Sequence, residues 1–241
     1  MKVIRSEKHE RMVFDKIKAW LAKRPRSADA WHVSDLLYPL KAYWQRLFPL
    51  PITDDQALYF ILGIAHHSIL EAILGPKDKT EKRADAGEFL KDGIYYSPDL
   101  RLPYPLEIKT SRAYKAPDDS GQKPEKAFEG YLKQETLYQA FMDSKKGALL
   151  VVFLNKMLQG EKWKKKPALR FYKVLCEPKE LKKKLEVVKI LAKTLTAAVK
   201  TKNPKGLELC PDWMCQDCGW FAKCRPWIKD PSRKNAQKKG A

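Results

Sequence analysis

Ala148 to Leu154 is an unbroken row of seven apolar residues, and it restricts the fold more than any other stretch. Side chains alternate across a strand, so a row with no polar alternate needs cover on both faces. Such a strand belongs inside a sheet with helices packed against it. A second strand signal, Leu169 to Leu175, follows a Lys-rich stretch. From Glu180 to Lys200 apolar residues recur at Leu181, Leu185, Val188, Leu191 and Leu195, the spacing of a long amphipathic helix. Glu7 to Lys23 carries Phe14, Ile17 and Leu21 on one side and stops before Pro25, which predicts another. The order helix, hairpin, helix, strand, strand, helix predicts an α/β fold with a mixed central sheet flanked by helices. With 241 residues and 44% hydrophobic content, the chain can bury one good core but is short for two full domains. The expected organisation is a helical extension over residues 1–30, a core over 31–202, a small cysteine-bearing lobe over 203–228 and a basic tail over 229–241.

The chemistry concentrates in Ser97-Pro98-Asp99 and Glu107-Ile108-Lys109. Gly93 to Ser97 reads as a strand, Leu100 to Pro105 as a Pro-rich connection and Leu106 to Thr110 as a second strand. Asp99 and Glu107 then face each other across a turn. Alternation sends Glu107 and Lys109 to one face and Ile108 to the core. Two carboxylates with one ammonium suit Mg²⁺ or Mn²⁺, which activate water and clamp a phosphate, with Lys109 near the water or the developing charge. A solvated cross-strand Glu-x-Lys pair has the same sequence.

Two further segments bear on this reading. Ala57 to Leu74 reads as a mostly buried helix, on which His67 and Glu71 stand one turn apart on one face. A neutral imidazole there is a plausible third metal ligand, although His66 leaves the assignment open by one position. Tyr131 to Met142 is again helical in period. Gln134 and Tyr138 share one of its faces, an amide and a phenol suited to touching a nucleic-acid strand. The plain alternative is a helix with Leu137 and Phe141 in the core and Gln134 in solvent.

Four of the five cysteines cluster as Cys210-x4-Cys215-x2-Cys218-x5-Cys224. Short loops of this kind converge four sulfurs on one point and suit a metal centre better than separated disulfides. Zinc favours paired Cys-x2-Cys knuckles, of which there is one, while a cubane cluster tolerates irregular spacing. Cys176, alone after the second strand, reads as a small buried hydrophobe.

Taken in order, His67, Pro98-Asp99, Glu107-x-Lys109 and Gln134-x-x-x-Tyr138 resemble the PD-(D/E)XK nuclease superfamily. The likeness is to its RecB-like branch of CRISPR-associated, phage and recombination nucleases, and it runs from about Val33 to Cys224. It implies a restriction-endonuclease-like fold and a metal site of His67, Asp99, Glu107 and Ile108. Asp99, Glu107 and Lys109 would be catalytic, and Gln134 and Tyr138 would contact DNA. The branch pattern Gly-x-x-x-His-x-x-x-Glu aligns with Gly63, His67 and Glu71, which favours His67 over His66. Glu71 then becomes a partner of His67 rather than a ligand. Cys-x2-Cys-x5-Cys resembles the branch's [4Fe-4S] staple, with zinc as the alternative. The branch's first cluster cysteine lies upstream, in a segment like Val33 to Tyr43. That segment has no cysteine here, so Cys210 is the candidate substitute.

Lys and Arg total 48 against 29 acids, a net charge of +19, which favours polyphosphate partners with salt-sensitive affinity. The charge comes in runs, Lys162 to Lys166, Lys179 to Lys184 and Lys229 to Lys239; Trp163 and Tyr172 nearby are either base-stacking or core aromatics. No targeting peptide and no run apolar enough to span a membrane is expected, which makes the protein intracellular. The resemblance then implies a metal-dependent deoxyribonuclease acting on free, single-stranded DNA ends. Homo-oligomers or recombination and CRISPR proteins are the partners it allows. The alternatives are a structure-specific endonuclease and a noncatalytic DNA-binding adaptor with a structural metal centre.

Overall fold

The computed structural model describes residues 7–22, 30–74, 89–111, 113, 116–154, 169–215 and 218–228. The basic runs at 162–166 and 229–239, Trp163 and the proposed tail lie outside them. The Ala148 row lies in β6 (Lys146–Phe153), whose residues from Gly147 onward are all buried. It pairs in parallel with β5 (Pro105–Ser111) on one side and antiparallel with β7 (Leu169–Leu175) on the other. The short β4 (Leu100–Arg101) adds antiparallel to β5. The sheet order is therefore β4-β5-β6-β7, and the sheet is mixed. This is the α/β arrangement expected from the sequence.

A parallel pair needs a crossover. Three helices supply it: α5 (Pro117–Ser120), α6 (Pro124–Ala127) and α7 (Glu129–Met142). One face of α7 packs on β5 and β6, and α8 (Pro178–Thr201) packs against α7 from outside. Leu181, Val188 and Leu195 of α8 are buried at seven-residue intervals. Val188 and Leu195 join Tyr138 and Phe141 of α7 in the main core, while Leu181 joins Ala140 of α7 in a second cluster over β6. Fully burying one such side chain is worth about 1.5–3 kcal/mol.

A second small sheet carries the approach to the site. Its strands are β1 (Trp31–His32), β2 (Phe89–Lys91) and β3 (Ile94–Tyr96), with β3 central. Asp92 and Gly93 join β2 to β3 with φ of 55° and 73°, the two positive values a two-residue I′ hairpin requires. The segment read as one arm of a hairpin with Leu106 to Thr110 thus pairs elsewhere. The arm opposite β5 is β4, inside the stretch read as a connection. The chain changes sheets at Ser97-Pro98, because Pro98 has no N–H to continue a ladder.

Two other expectations need correction. The stretch from Lys115 to Lys126, where Pro117, Asp118, Asp119, Gly121 and Pro124 suggest a flexible loop, contains the single-turn helices α5 and α6. Arg170 of β7 fixes α5 by bonding both Asp118 and Asp119. The helix read as mostly buried is α4 (Asp54–Leu74), and Ala57 is its one buried residue. Leu58, Leu62, Ile69 and Ile73 are exposed along one side of it. Glu71 is the only Asp, Glu, Lys or Arg between Gln56 and Leu74, so α4 is long and apolar enough to cross a membrane by length and composition. The expectation that no run is apolar enough to span a membrane is therefore corrected at α4.

The cysteine lobe packs back on the first helices. Leu207 and Cys224 share a core cluster with Leu36 of α2 (Val33–Leu37) and Trp44 of α3 (Pro39–Leu47). Trp220 Nε1 donates to the carbonyl of Phe48, 2.8 Å away.

Candidate active site

Asp99 stands just before β4, whose first residue pairs with Leu106, so Asp99 falls opposite Glu107. Its Oδ2 accepts the Ile108 N–H at 2.6 Å, which locks the carboxylate over the hairpin. Its Oδ1 lies 3.3 Å from His67 Nδ1 on α4. Both expected acids therefore converge across the turn, although the strands that deliver them differ from those expected. Ile108 is fully buried beneath them.

Glu107 and Lys109 point from β5 into the same pocket and bond to each other through Glu107 Oε1. Glu107 is 1% exposed. Its Oε2 is buried and has no hydrogen-bond partner among the described residues, a costly arrangement unless another group meets it. Burial pushes the Glu107 carboxyl up to about 7 against the pull of the Lys109 ammonium. For Lys109, burial disfavours the charge, but Glu107 and Asp99 outweigh it and hold the pKa above its ordinary value. His67 behaves likewise: burial lowers it, the Asp99 hydrogen bond and charge raise it further, and the net direction is up.

His67, Glu71 and Asp99 form a trio whose ligand atoms all lie within 4.8 Å of one another. Glu71, read from the sequence as a partner of His67, thus contributes an oxygen of its own. His66 is not in the trio: its Nδ1 sits 2.7 Å from the carbonyl of Leu62 one turn back on α4. Of the two histidines, His67 is the one that faces Asp99.

Gln134 and Tyr138 also come to the pocket, with Gln134 Nε2 donating to the Tyr138 hydroxyl at 2.7 Å. Tyr138 is only 4% exposed, so the phenol forms the floor rather than a surface contact. These two, Asp99, Glu107 and Lys109 line a cavity of about 200 Å³ together with His32 and Tyr95. His32 stacks on Tyr95 with centroids 5.2 Å apart. Sequence reasoning missed that pair, because a two-residue strand gives almost no periodic signal.

Behind the pocket sits Glu135, 0% exposed. Burial pushes its carboxyl up to about 10, and the negative charge of Glu107 adds to the rise; Gln139 and the Ala148 N–H pull it down. Among the described residues, neither oxygen has a well-aligned hydrogen-bond partner. Gly147 makes room for it, since a Cβ there would collide with Glu135 and Gln139.

The four clustered cysteines are all free thiols. Burial pushes Cys210 up to about 11 and Cys224 up to about 12, and each is raised further by the neighbouring sulfurs. Cys210 meets the Lys41 backbone and Cys224 the Trp44 side chain. Cys210 therefore lies beside the Val33 to Tyr43 segment. Among the described residues, no three cysteine sulfurs lie within 4.8 Å of one another. Zn–S bonds of about 2.3 Å would require sulfurs about 3.8 Å apart. Cys176 is buried among Val174, Leu181 and Leu149 as a small hydrophobe.

No protein-family profile and no curated protein matches the chain. The crystal structure of SSO0001 superposes with a TM-score of 0.57 at 17% identity, covering 90% of this chain and 96% of that one. At that identity the likeness shows the fold alone. The crystal structure of a phage-related exonuclease from Haemophilus somnus 129PT gives a TM-score of 0.46 at 12% identity, over 72% of this chain and 96% of that one.

Proposed function

We propose that the protein is a metal-dependent deoxyribonuclease that hydrolyses phosphodiester bonds, working as an exonuclease on single-stranded ends. The observation that carries this is the convergence of His67, Glu71 and Asp99 beside a buried Glu107 oxygen that has no partner among the described residues. Three acids and a neutral imidazole form a donor set for Mn²⁺ or Mg²⁺, with the Ile108 backbone as a further oxygen. The bound ion supplies an activated water and neutralises phosphate charge.

The protein's own groups do the rest. Asp99 is held by the Ile108 N–H and so cannot rotate away from the ion. Lys109, charged and anchored on Glu107, presents its remaining N–H donors to the attacking water or the phosphate oxygens. Gln134 and Tyr138 set the depth to which the strand can enter. The chain's +19 charge draws the DNA backbone in.

The cysteine site is proposed to hold a [4Fe-4S] cluster. That no three of these sulfurs lie within 4.8 Å of one another among the described residues, wider than a single zinc ion requires, supports that choice over zinc. With Cys210 beside the Lys41 backbone, such a cluster fastens the C-terminal lobe to α3.

End-labelled linear and circular single-stranded DNA, incubated with Mn²⁺, Mg²⁺ or EDTA, tests the nuclease reading. Metal-dependent loss of label abolished by Glu107→Ala and Lys109→Ala, with the circle intact, is expected. Wild type and variants that bind DNA alike and cut nothing would make the protein a DNA-binding adaptor.

A further inference from the structure

A second cavity of about 320 Å³ is bordered by Tyr131 of α7, near the lower end of the roughly 300–1,000 Å³ range of small-ligand pockets. Tyr38, Ser111, Gln122, Phe128, Tyr131 and Phe153 line it. Its wall is a stack of aromatic rings. Phe128 lies nearly parallel to Tyr131, centroids 6.0 Å apart and 16° between planes. Phe153 and Tyr172 back Phe128 from 6.4 and 5.5 Å. The polar groups sit around this wall: the Tyr38 phenol, the Gln122 amide and the Ser111 hydroxyl, which accepts from the Ala113 N–H and keeps its own proton to donate. A flat apolar wall edged by hydrogen-bonding groups suits a nucleobase.

Lys109 joins this cavity to the cleavage pocket. It lines the first, and its Nζ stands 5.8 Å from the centroid of Tyr131, which lines the second. A strand whose phosphate meets Lys109 therefore has its neighbouring base beside Tyr131. Two details keep the cavity open and compatible with an anion. Gly130 lets the Tyr38 phenol rest on the α7 backbone, where a Cβ would come within 2.6 Å of its oxygen. The acids of α5, whose Pro117 borders the cavity, are bound by Arg170, and Asp118 also accepts from the Tyr172 hydroxyl.

We propose that this cavity receives the base next to the scissile phosphate of a single strand; the assignment rests on the nuclease reading but is tested without cleavage. The probe is a short single-stranded oligonucleotide with 2-aminopurine walked along it, titrated in EDTA. Binding to wild type is expected to quench the fluorophore at one position. Tyr131→Ala should remove that quench and weaken binding about 5- to 150-fold, the range for one base–aromatic stack. Tyr131→Phe should retain both, and equal thermal midpoints for the two variants exclude misfolding. Equal quench and affinity in wild type and Tyr131→Ala would overturn the proposal. So would adenosine monophosphate competing as well as the oligonucleotide, which would make the cavity a free-nucleotide site. Quenching with no metal-dependent cleavage would sink the nuclease reading while leaving a base-binding cavity.

Discussion

Each oxygen of Asp99 has its own partner. Oδ2 caps the Ile108 N–H and Oδ1 faces His67, so two substitutions separate structure from metal binding. Asp99→Asn keeps an oxygen for the N–H and should leave stability nearly unchanged while weakening Mn²⁺ binding. Asp99→Ala should weaken Mn²⁺ binding and also cost about 1–3 kcal/mol of stability for the orphaned Ile108 N–H, read as a shift in the urea midpoint. Glu135 makes a pH prediction. Its folded pKa, about 10, lies above its unfolded value near 4.3, so the stability of the neutral buried acid is complete below the unfolded value. That stability is lost as pH rises from there toward 10, at up to about 1.4 kcal/mol per pH unit. Glu135→Gln should flatten urea midpoints measured between pH 5 and 9; a wild type already flat over that window would contradict the burial argument. At this scale Asp99, Glu107, Lys109 and His67 were legible because strand alternation and helical spacing fix where side chains point. Glu135 was not, since a buried acid inside a helix looks like any solvated Glu until the sheet beneath it is known.

Among the elements, β6 and α8 could be read from the sequence because one has an unbroken apolar row and the other a sustained helical repeat. The β4–β5 hairpin could not be fully read, because two-residue strands leave no period and the chain changes sheets at Pro98. The glycine beneath α7 can be tested directly. Gly147→Ala should cost about 1–3 kcal/mol through overpacking against Glu135 and Gln139, and an unchanged urea midpoint would count against the described contact. In α4 the apolar pattern gave the helix but not its burial, since apolar residues all round fit both an interior helix and an exposed one. Ile69 and Ile73 are 59% and 63% exposed. Ile69→Lys and Ile73→Lys should therefore change the stability of the chain by no more than about 0.5 kcal/mol. A loss of several times that in thermal melts would mean that something covers this face.

Across the whole molecule, the mixed sheet holds Glu107 and Lys109 on its β5 strand, α4 brings His67 and Glu71 to Asp99, and α7 closes the floor with Tyr138. The cysteine lobe meets α3 and the residue after it where Trp220 bonds Phe48 and Cys210 sits by Lys41. The long-range meeting of α4 with the hairpin is what no local pattern could reveal, and the account depends on it. Titration of Mn²⁺ followed by electron paramagnetic resonance, on wild type and on His67→Ala, Glu71→Gln and His66→Ala, tests it most directly. The expected result is a bound ion in wild type and His66→Ala whose affinity falls at least about tenfold in the other two, as loss of a ligand or its supporting partner does. Equal Mn²⁺ affinity in wild type and His67→Ala would contradict the proposed metal centre.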